Sequence, residues 1–376
     1  MEIGMLDEFK RFGEVCADSY ATARAAAVSG RKVAGYMCSY SPQELLHAAG
    51  YLPVRILGHL GATPRADALM QAFICSFARS TFECGLKGEL DFLDVVMFAH
   101  TCDTMQNLAD LWRGNCRGMK TIIASVPNVH SGAAASAYYR KELERVRQDV
   151  EAAAGPIDDK TLLASLRLYD AHRGKMRELY ALRRRWPGAM TGTEMMLVIL
   201  SSFLMAREEH LELVSALLGK LEAADTQAPK VIVGGSVCQT NDFIAAIEAT
   251  GCAVVDDDLC MGSRSYSRPA IQGTDPMDVL TRAYTERMPC PAMHKATFDP
   301  AEAMLDRVRE AQAEGVVFLI TKFCDPYCFD YAHVNSVLEA AGVPTLMIEV
   351  EQNLPVSEQM RTRMEAFVEI LEARRS

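Results

Sequence analysis

The sequence predicts an α/β fold with two lobes of parallel sheet joined by a helical segment. Short apolar runs alternate with long amphipathic stretches in both halves of the chain, and the alternation stops in the middle. The length of 376 residues also exceeds the usual size of one domain. We therefore predict an N-terminal α/β lobe at residues 1–131, a helical connecting segment at 132–225 and a C-terminal α/β lobe at 226–376.

Seven short runs rich in β-branched and other apolar residues are predicted strands. Three lie in the N-terminal lobe and four in the C-terminal lobe: VAGYM (33–37), LDVVMF (93–98), KTIIASV (120–126), KVIVGG (230–235), CAVVDD (252–257), GVVFLIT (315–321) and TLMIEV (345–350). Helical patterns separate them, for example at 240–250, 299–314 and 327–341. Strands that alternate with helices usually pair in parallel, so each lobe should be Rossmann- or flavodoxin-like.

The connecting segment contains nothing with the pattern of a strand. Residues 132–153, the stretch around LRLYDAHRGKMRELYALRRRW, and residues 193–223 all have a helical pattern. The most apolar run, MMLVILSSFLMA at 195–206, is too short to cross a bilayer. We expect it to be a buried helix.

Charge and composition exclude several classes of partner. The net charge of −10 and the pI near 5.4 argue against nucleic acid or an anionic membrane as the main partner. The opening MEIGMLDEFKRFGE carries charges where a secretory signal needs a long apolar run. We therefore expect a cytoplasmic protein with no membrane or nucleic-acid partner.

The chain has 12 cysteines, which a reducing compartment would keep out of disulfides. They are then inert core residues, reactive thiols, or ligands of a metal or cluster. Four of them follow predicted strands directly or within a few residues: Cys38, Cys102, Cys260 and Cys324. Open α/β sheets bind ligands at the carboxyl ends of their strands, so these four are the candidates for a site.

The stretch TKFCDPYCFDY places Cys324 and Cys328 around an Asp-Pro. Pro326 suits the first turn of a helix, and the residue before a proline is biased away from helix. We therefore expect Cys324 in the loop and Cys328 inside the helix, where the two thiols need not converge.

Two further cysteines, Cys75 and Cys84, lie on a predicted helix at 68–87. Nine residues at about 100° each put them on opposite faces, so at most one can face a shared site. No C-x2-C pair typical of zinc occurs, and thiolates dispersed over two lobes suit an iron–sulfur cluster at a domain interface. Spacing alone does not decide between the two. The remaining cysteines are expected to be structural: Cys16, Cys116, Cys238, Cys252 and Cys290.

Five segments, spread over nearly the whole chain, carry a family resemblance. They are GYMCSYSPQELLHAAGYLPVRILG (35–58), CSFARS (75–80), GELDFLDVVMFAHTCDT (88–104), DDDLCMGSRSY (256–266) and KFCDPYCFDY (322–331). Together, and in this order, they resemble the 2-hydroxyacyl-CoA dehydratase family, which includes the catalytic iron–sulfur subunits of ATP-dependent benzoyl-CoA reductase.

The resemblance implies a [4Fe–4S] cluster held between the two lobes. Cys75, Cys102 and Cys324 match the family's ligand positions. Cys38 stands where relatives carry cysteine or serine, which implies a fourth ligand or a close neighbour of the cluster. Cys260 matches a position often occupied by cysteine in the reductase-like branch, and its role as a ligand stays open. Cys328 departs from the family motif and is not expected to be a ligand.

The resemblance also implies a function and partners. The segment FAHTCDTMQNLADLW and the cysteine in DDDLC look closer to the benzoyl-CoA reductase branch of the family. In that branch an electron of very low potential would pass from the cluster to an aryl-CoA thioester through a ketyl-like radical. The first alternative is the small subunit of an (R)-2-hydroxyacyl-CoA dehydratase. The second is a non-catalytic electron-relay or scaffold subunit, and the third is an α/β protein with unliganded thiols.

Such an electron must be driven by ATP, yet the chain has no G-x-x-x-x-G-K-[ST] phosphate loop. The resemblance therefore implies a separate activator ATPase that carries its own iron–sulfur cluster. It also implies a homologous second catalytic subunit that forms a heterodimer with this chain.

Two candidate catalytic residues lie beside the cysteines. His100, two residues before Cys102, could hydrogen-bond to the cluster or donate a proton, and the alternative is a structural histidine. Ser39 follows Cys38 and could hydrogen-bond to the cluster or the substrate, and the alternative is a turn hydroxyl.

Other residues are candidates for binding the CoA thioester. Arg264 could pair with a CoA phosphate or a carboxylate, and the alternative is a surface salt bridge. Gly234, Gly235 and Ser236 in GGSVC end a predicted strand, where backbone N–H groups could cradle a phosphate. The alternative there is a bare glycine turn.

Overall fold

The computed structural model describes residues 6–238, 240–351 and 353–375 and contains two four-stranded sheets. The first sheet has the order β2-β1-β3-β4 and the second the order β6-β5-β7-β8. All neighbouring strands within each sheet are parallel. The strands are β1 (Val33–Tyr36), β2 (Leu52–Arg55), β3 (Val95–His100), β4 (Lys120–Ser125), β5 (Lys230–Gly235), β6 (Ala253–Asp258), β7 (Gly315–Thr321) and β8 (Thr345–Val350). The predicted α/β class is confirmed.

Helices connect and cover these strands. In the described part of the chain they are α1 (Asp7–Ala17), α2 (Ala21–Val28), α3 (Gln43–Ala48), α4 (Pro64–Asp67), α5 (Ser76–Leu86), α6 (Asp103–Asn115), α7 (Ala133–Ala154), α8 (Asp159–Arg185), α9 (Gly192–Ser201), α10 (Arg207–Leu218), α11 (Asp242–Glu248), α12 (Ser263–Tyr266), α13 (Pro276–Thr285), α14 (Pro300–Ala311), α15 (Asp325–Ala340) and α16 (Glu358–Ala373).

The strand β2 was not predicted from the sequence. It has only four residues, LPVR, and Pro53 cannot donate a backbone hydrogen bond. It is the edge strand of its sheet, where a proline is tolerated because one side of the strand has no partner. The other seven strands were all predicted and are confirmed, with ends within about two residues of the predicted ones.

The helices α7 to α10 connect the two sheets and also contribute to the hydrophobic core. Their apolar residues, such as Val146, Leu166 and Ile199, belong to the same continuous core as Met97 of β3 and Val231 of β5. The helix predicted at 193–223 is two helices, α9 and α10. In the described ranges no helix combines the length and apolar character needed to span a bilayer. The boundaries of the three predicted domains stay a prediction.

A buried ionic network ties the N-terminal part of the chain to later elements. Glu44 of α3 accepts hydrogen bonds from Arg173 of α8 at 2.8 Å and from Arg268, which follows α12, at 2.7 Å. The Tyr284 hydroxyl of α13 donates to the same carboxylate at 3.0 Å. Although burial opposes ionisation, the charges of Arg268 and Arg173 lower the pKa of Glu44 to about 2.

Both sheets have the same strand order, which reverses between β1 and β3 in the first and between β5 and β7 in the second. In open α/β sheets the crevice at the carboxyl ends of two such strands is the usual ligand site. Cys38 and Cys102 follow β1 and β3, while Ser236 and Cys324 follow β5 and β7. The topology therefore indicates that these residues lie where such sheets usually bind ligands.

Candidate metal centre

Three cysteines occupy the N-cap positions of helices. Cys75 immediately precedes α5, Cys102 precedes α6 and Cys324 precedes α15. A helix begins with backbone N–H groups that lack partners within the helix and with the positive end of its dipole, so it favours a negatively charged sulfur. We call these three residues the cap group.

The cap group comes together from both sheets. Burial and the nearby thiols of Cys75, Cys38 and Cys324 together raise the pKa of Cys102 to about 12, although the Met105 N–H lowers it. Burial, with a smaller contribution from Cys75, likewise raises the pKa of Cys324 to about 12. Thiols that act on one another in this way share one neighbourhood, although they are far apart in the sequence.

Backbone strain marks the same place. Phe323, directly before Cys324, has a φ of 64°, a left-handed conformation that is rare for a bulky side chain. Residues held in such conformations concentrate at functional sites, because only a demanding local geometry maintains them. This strained residue lies in the loop between β7 and α15, directly before Cys324.

A second set of thiols lies beside the first, and we call Cys38, Cys260 and Cys290 with Arg55 the arginine group. Cys38 Sγ lies 3.6 Å from Thr101 Oγ1, next to Cys102. Arg55 Nη2 donates to Cys260 Sγ at 3.5 Å. Burial raises the pKa of Cys290, and Cys260 and Cys38 raise it further. No sequence pattern places Cys290 beside these thiols, and its assignment as a structural cysteine stays a prediction.

Cys260 differs from the other thiols because arginines surround it. Burial opposes its ionisation, but the guanidinium charges of Arg55 and Arg264 lower the pKa of Cys260 below that of an ordinary cysteine. Arg55 is only 1 % exposed, and its Nε and Nη1 have no hydrogen-bond partner among the described residues. Unpaired N–H groups of a buried guanidinium are costly, so they are donors for a polar group that enters the site. Arg55 was missed because it ends the unpredicted strand β2.

Ser39 is held in place by two further arginines. Arg287 Nη1 donates to the Ser39 carbonyl oxygen at 2.7 Å, and Arg268 Nη2 donates to the same oxygen at 3.0 Å. Arg287 Nη2 donates to Ser39 Oγ at 3.3 Å, and this hydroxyl lies 3.9 Å from Cys260 Sγ. Ser39 therefore belongs beside the arginine group.

Comparison with known proteins supports the resemblance seen in the sequence. The family model for the 2-hydroxyglutaryl-CoA dehydratase D-component matches residues 38–371. The chain belongs to this family. The match begins at Cys38 and includes every residue of the cap group and the arginine group.

Curated relatives within the family differ in the reaction they are named for. The chain is 29 % identical to the (R)-phenyllactyl-CoA dehydratase beta subunit of Clostridium sporogenes, over 91 % of this chain and 92 % of that one. It is 30 % identical to the beta subunit of lactoyl-CoA dehydratase from Anaerotignum propionicum, over 92 % and 93 %. It is 31 % identical to a benzoyl-CoA reductase subunit from Thauera aromatica, over 88 % and 90 %. Such close values do not separate dehydratase from reductase.

His100 is the last residue of β3 in this family member. Burial lowers the pKa of His100, whereas the negative charges of Asp110 in α6 and Glu142 in α7 raise it. Its Nε2 is buried without a hydrogen-bond partner in the described chain. Both carboxylates that act on the ring belong to helices. The role of His100 as a proton donor stays a prediction.

Arg264 is buried rather than on the surface, so the alternative of a surface salt bridge is wrong. Its Nε donates to Asp258 Oδ1 at 2.9 Å, and its guanidinium lies 5.4 Å from the centre of the Tyr327 ring. The elements β6 and α12 hold this ion pair in the interior. Asp258 already neutralises the charge of Arg264, so no free charge supports a CoA-binding role. That role stays a prediction.

Gly234 and Gly235 are the last two residues of β5 and pack tightly against β7. A Cβ on Gly235 would lie 2.5 Å from the Leu319 carbonyl oxygen, and one on Gly234 would lie 2.8 Å from the Phe318 ring. Close packing thus accounts for both glycines, and phosphate binding stays a prediction. Ser236 Oγ donates to Thr321 Oγ1 at 3.0 Å and also lowers the pKa of Cys324.

The remaining cysteine predictions have mixed outcomes. The helix predicted at 68–87 begins only at Ser76, so Cys75 is a cap rather than a helical residue. Cys84 lies inside α5 and is buried in a core against which Cys75 and Cys102 also pack. Cys324 in the loop and Cys328 inside α15 are confirmed, and Cys328 is exposed.

Proposed function

We propose that this chain is the iron–sulfur subunit of an ATP-dependent, oxygen-sensitive CoA-thioester enzyme, with a [4Fe–4S] cluster bound by Cys75, Cys102 and Cys324. One observation carries the proposal. Cys102 and Cys324 follow strands of different sheets, Cys75 lies in the loop before α5, and the three thiols act on one another at three helix N-termini. Cys38, beside Cys102, is the candidate for a fourth ligand or a close neighbour.

The three sulfurs of the cap group do not all lie close enough together to share a single ion. Among the described residues, one set of three ligand atoms lies within 4.8 Å of one another, and it is His59, Cys84 and Glu89 rather than the cap group. A cluster binds each thiolate to a different iron atom, so its ligands stand further apart than those of a zinc ion. The donor set, all thiolate, is also the one that iron–sulfur clusters prefer.

When bound, such a cluster supplies single electrons of low potential. The chain provides the environment for it. Backbone N–H groups at the helix starts face the sulfurs: those of Ala78 and Phe77 act on Cys75, and that of Tyr327 acts on Cys324. Hydrogen bonds to the sulfurs and burial are two of the means by which a protein sets a cluster's potential.

The arginine group provides a binding site for the substrate's reacting oxygen. A thioester carbonyl that accepts an electron develops negative charge on its oxygen. Arg55 has buried N–H groups free to donate to that oxygen. A donor fixed in a water-excluded site stabilises such charge more strongly than it would in water. Ser39, held by Arg268 and Arg287, is the adjacent hydroxyl.

The reaction we favour is that of a benzoyl-CoA reductase, because FAHTCDTMQNLADLW and Cys260 resemble that branch. The alternative is the small subunit of an (R)-2-hydroxyacyl-CoA dehydratase, which relatives of 29 % and 30 % identity support. An electron-relay or scaffold subunit of the same complex is the second alternative. All three share the cluster and differ in what happens to the thioester.

Relatives named as subunits support partner proteins for this chain. We propose a heterodimer with a homologous subunit and docking of a separate activator ATPase that has its own cluster. Exposed aromatic side chains stand near the cap group in the sequence: Phe73 is 65 % exposed, Phe323 38 % and Phe329 80 %. Large apolar side chains left in water beside a site are typical of surfaces that a partner covers. A cytoplasmic location remains part of this proposal.

The test is to produce the chain without oxygen together with its partner subunit and activator. Benzoyl-CoA and a 2-hydroxyacyl-CoA are each incubated with ATP and a reductant. A cyclic diene thioester identifies the reductase, and a 2-enoyl thioester identifies the dehydratase. A bound cluster whose electron paramagnetic resonance signal neither thioester changes indicates the relay role. Absence of iron and sulfide from the purified chain would contradict all three.

A further inference from the structure

A second set of metal-ligand side chains lies at the far end of α5 from Cys75. His59 follows β2, Cys84 lies in the last turns of α5, and Glu89 follows that helix. One ligand atom from each lies within 4.8 Å of the others. Cys84 is fully buried, His59 is half-buried and Glu89 is exposed, so the set runs from the core to the surface.

The distance between the two inner ligand atoms fits a metal ion. Zinc binds thiolate sulfur at about 2.3 Å and imidazole nitrogen at about 2.0 Å, and a tetrahedral angle then separates the two ligand atoms by about 3.5 Å. Cys84 Sγ lies 3.4 Å from His59 Nδ1. The two side chains therefore already have the separation that one shared tetrahedral ion would impose.

The donor set selects the class of ion. A thiolate, an imidazole and a carboxylate suit zinc, whereas magnesium and calcium prefer oxygen ligands alone. Together the thiolate and the carboxylate balance the charge of a divalent ion. With three protein ligands, the fourth position is left for water on the exposed side, next to Glu89.

Lys87 lies beside this set. Its Nζ lies 3.4 Å from His59 Nε2, which would carry a proton when Nδ1 binds a metal. The same ammonium lies 3.5 Å from the buried carboxylate of Glu83. Lys87 can therefore turn to Glu83, and the positive charge need not oppose the ion.

We propose that His59, Cys84 and Glu89 bind a zinc ion that fixes the loop after β2 to the end of α5. Cys75 is the N-cap of α5 and lies about 13.5 Å from Cys84 at 1.5 Å per residue. Gly61 of the same loop exchanges two hydrogen bonds with Asn353, N–H to carbonyl at 2.8 Å and amide to carbonyl at 2.9 Å. The ion would thus brace the helix that presents Cys75 and the loop that contacts the C-terminal lobe.

The experiment measures metal binding by the full-length chain, made without oxygen, stripped with a chelator and titrated with Co²⁺ in place of zinc. Thiolate bound to Co²⁺ gives a charge-transfer absorption band, and zinc should abolish it by competition. We expect the Cys84→Ala and His59→Ala variants to lose one equivalent of bound metal. Glu89→Gln should bind at least about tenfold more weakly, since even outer-shell changes cost that much. Cys116→Ala, a buried cysteine of the same core, is the matched control and should bind normally.

The candidate cluster thiols could also take up Co²⁺, so Cys102→Ser is titrated in parallel. Retention of the band and its equivalent in Cys102→Ser, with loss in His59→Ala, supports the zinc site. Equal binding in wild type, Cys84→Ala and His59→Ala would overturn it, as would loss confined to Cys102→Ser. His59 is only half-buried, so His59→Ala should fold even where Cys84→Ala does not, and the far-ultraviolet circular dichroism of both variants checks this.

Discussion

The cap group and the arginine group contain the same type of residue and adjoin at Cys38 and Cys102, yet their surroundings differ. In the cap group, backbone N–H groups face the sulfurs, and burial keeps the pKa of Cys102 and Cys324 near 12. In the arginine group, permanent guanidinium charges lower the pKa of Cys260. The thiols of Cys102 and Cys324 lose their protons readily only to a metal, whereas Cys260 is stabilised as an anion by the protein itself. The contrast therefore lies between these three cysteines, and Cys38 lies between the two groups as a candidate ligand.

The largest expected effect separates the two groups by metal content. Cys102→Ser should reduce bound iron and sulfide to background and abolish thioester turnover, because a cluster loses a ligand. Cys260→Ser should retain the cluster, because Cys260 lies among arginines instead. Iron and sulfide analysis of anaerobically purified variants measures this. Exposed Cys328→Ser is the control and should match the wild type. Loss of iron in Cys260→Ser with retention in Cys102→Ser would reverse the assignment.

The second prediction concerns the charge in the arginine group. Arg55→Met should leave the iron content unchanged and reduce the turnover number about 100-fold, the usual effect of removing a fixed donor to a developing oxyanion. Arg55→Lys keeps the charge and should recover part of the loss. Steady-state kinetics with the complete enzyme and iron analysis of the same preparation provide the measurement. If activity and iron fall together in Arg55→Met, the residue supports the cluster and not the substrate.

The third prediction tests the ionic network behind the arginine group. Glu44→Gln leaves the buried charges of Arg173 and Arg268 without their carboxylate. We expect the free energy of unfolding to fall by about 3 kcal/mol, which is typical of breaking a buried ion pair from one side. Denaturant unfolding at neutral pH measures it. Glu14→Gln removes an exposed ion pair and should cost less than about 1 kcal/mol.

The difference in unfolding free energy between wild type and Glu44→Gln should depend on pH in a known direction. The pKa of Glu44 is about 2 in the folded chain and 4.5 ordinarily. A carboxyl whose pKa is lowered by folding stabilises the fold fully above the ordinary value, and the effect is lost as pH falls towards the folded value. The gap between wild type and Glu44→Gln should therefore narrow from pH 4.5 towards pH 2. A gap that stays constant over this range would show that the loss comes from packing and not from charge.

Local sequence patterns were enough to predict the fold class and most of the strands. Apolar runs such as GVVFLIT are local signals, because burial on both faces of a parallel strand leaves a continuous hydrophobic stretch. The same patterns placed Cys38, Cys102, Cys260 and Cys324 at the carboxyl ends of strands, since each follows its strand within three residues. The strand β2 escaped because four residues with a proline carry too little of that signal.

Which side chains meet became known only from the folded chain. Arg55 and Cys260 are 205 positions apart, and His59 and Cys84 are 25 apart, yet each pair is in contact. The loop position of Cys75 and the inclusion of Cys290 were equally invisible in the sequence. Periodicity reports which face of an element is buried. It does not report how distant elements pack against each other, and that packing sets every distance in both candidate metal sites.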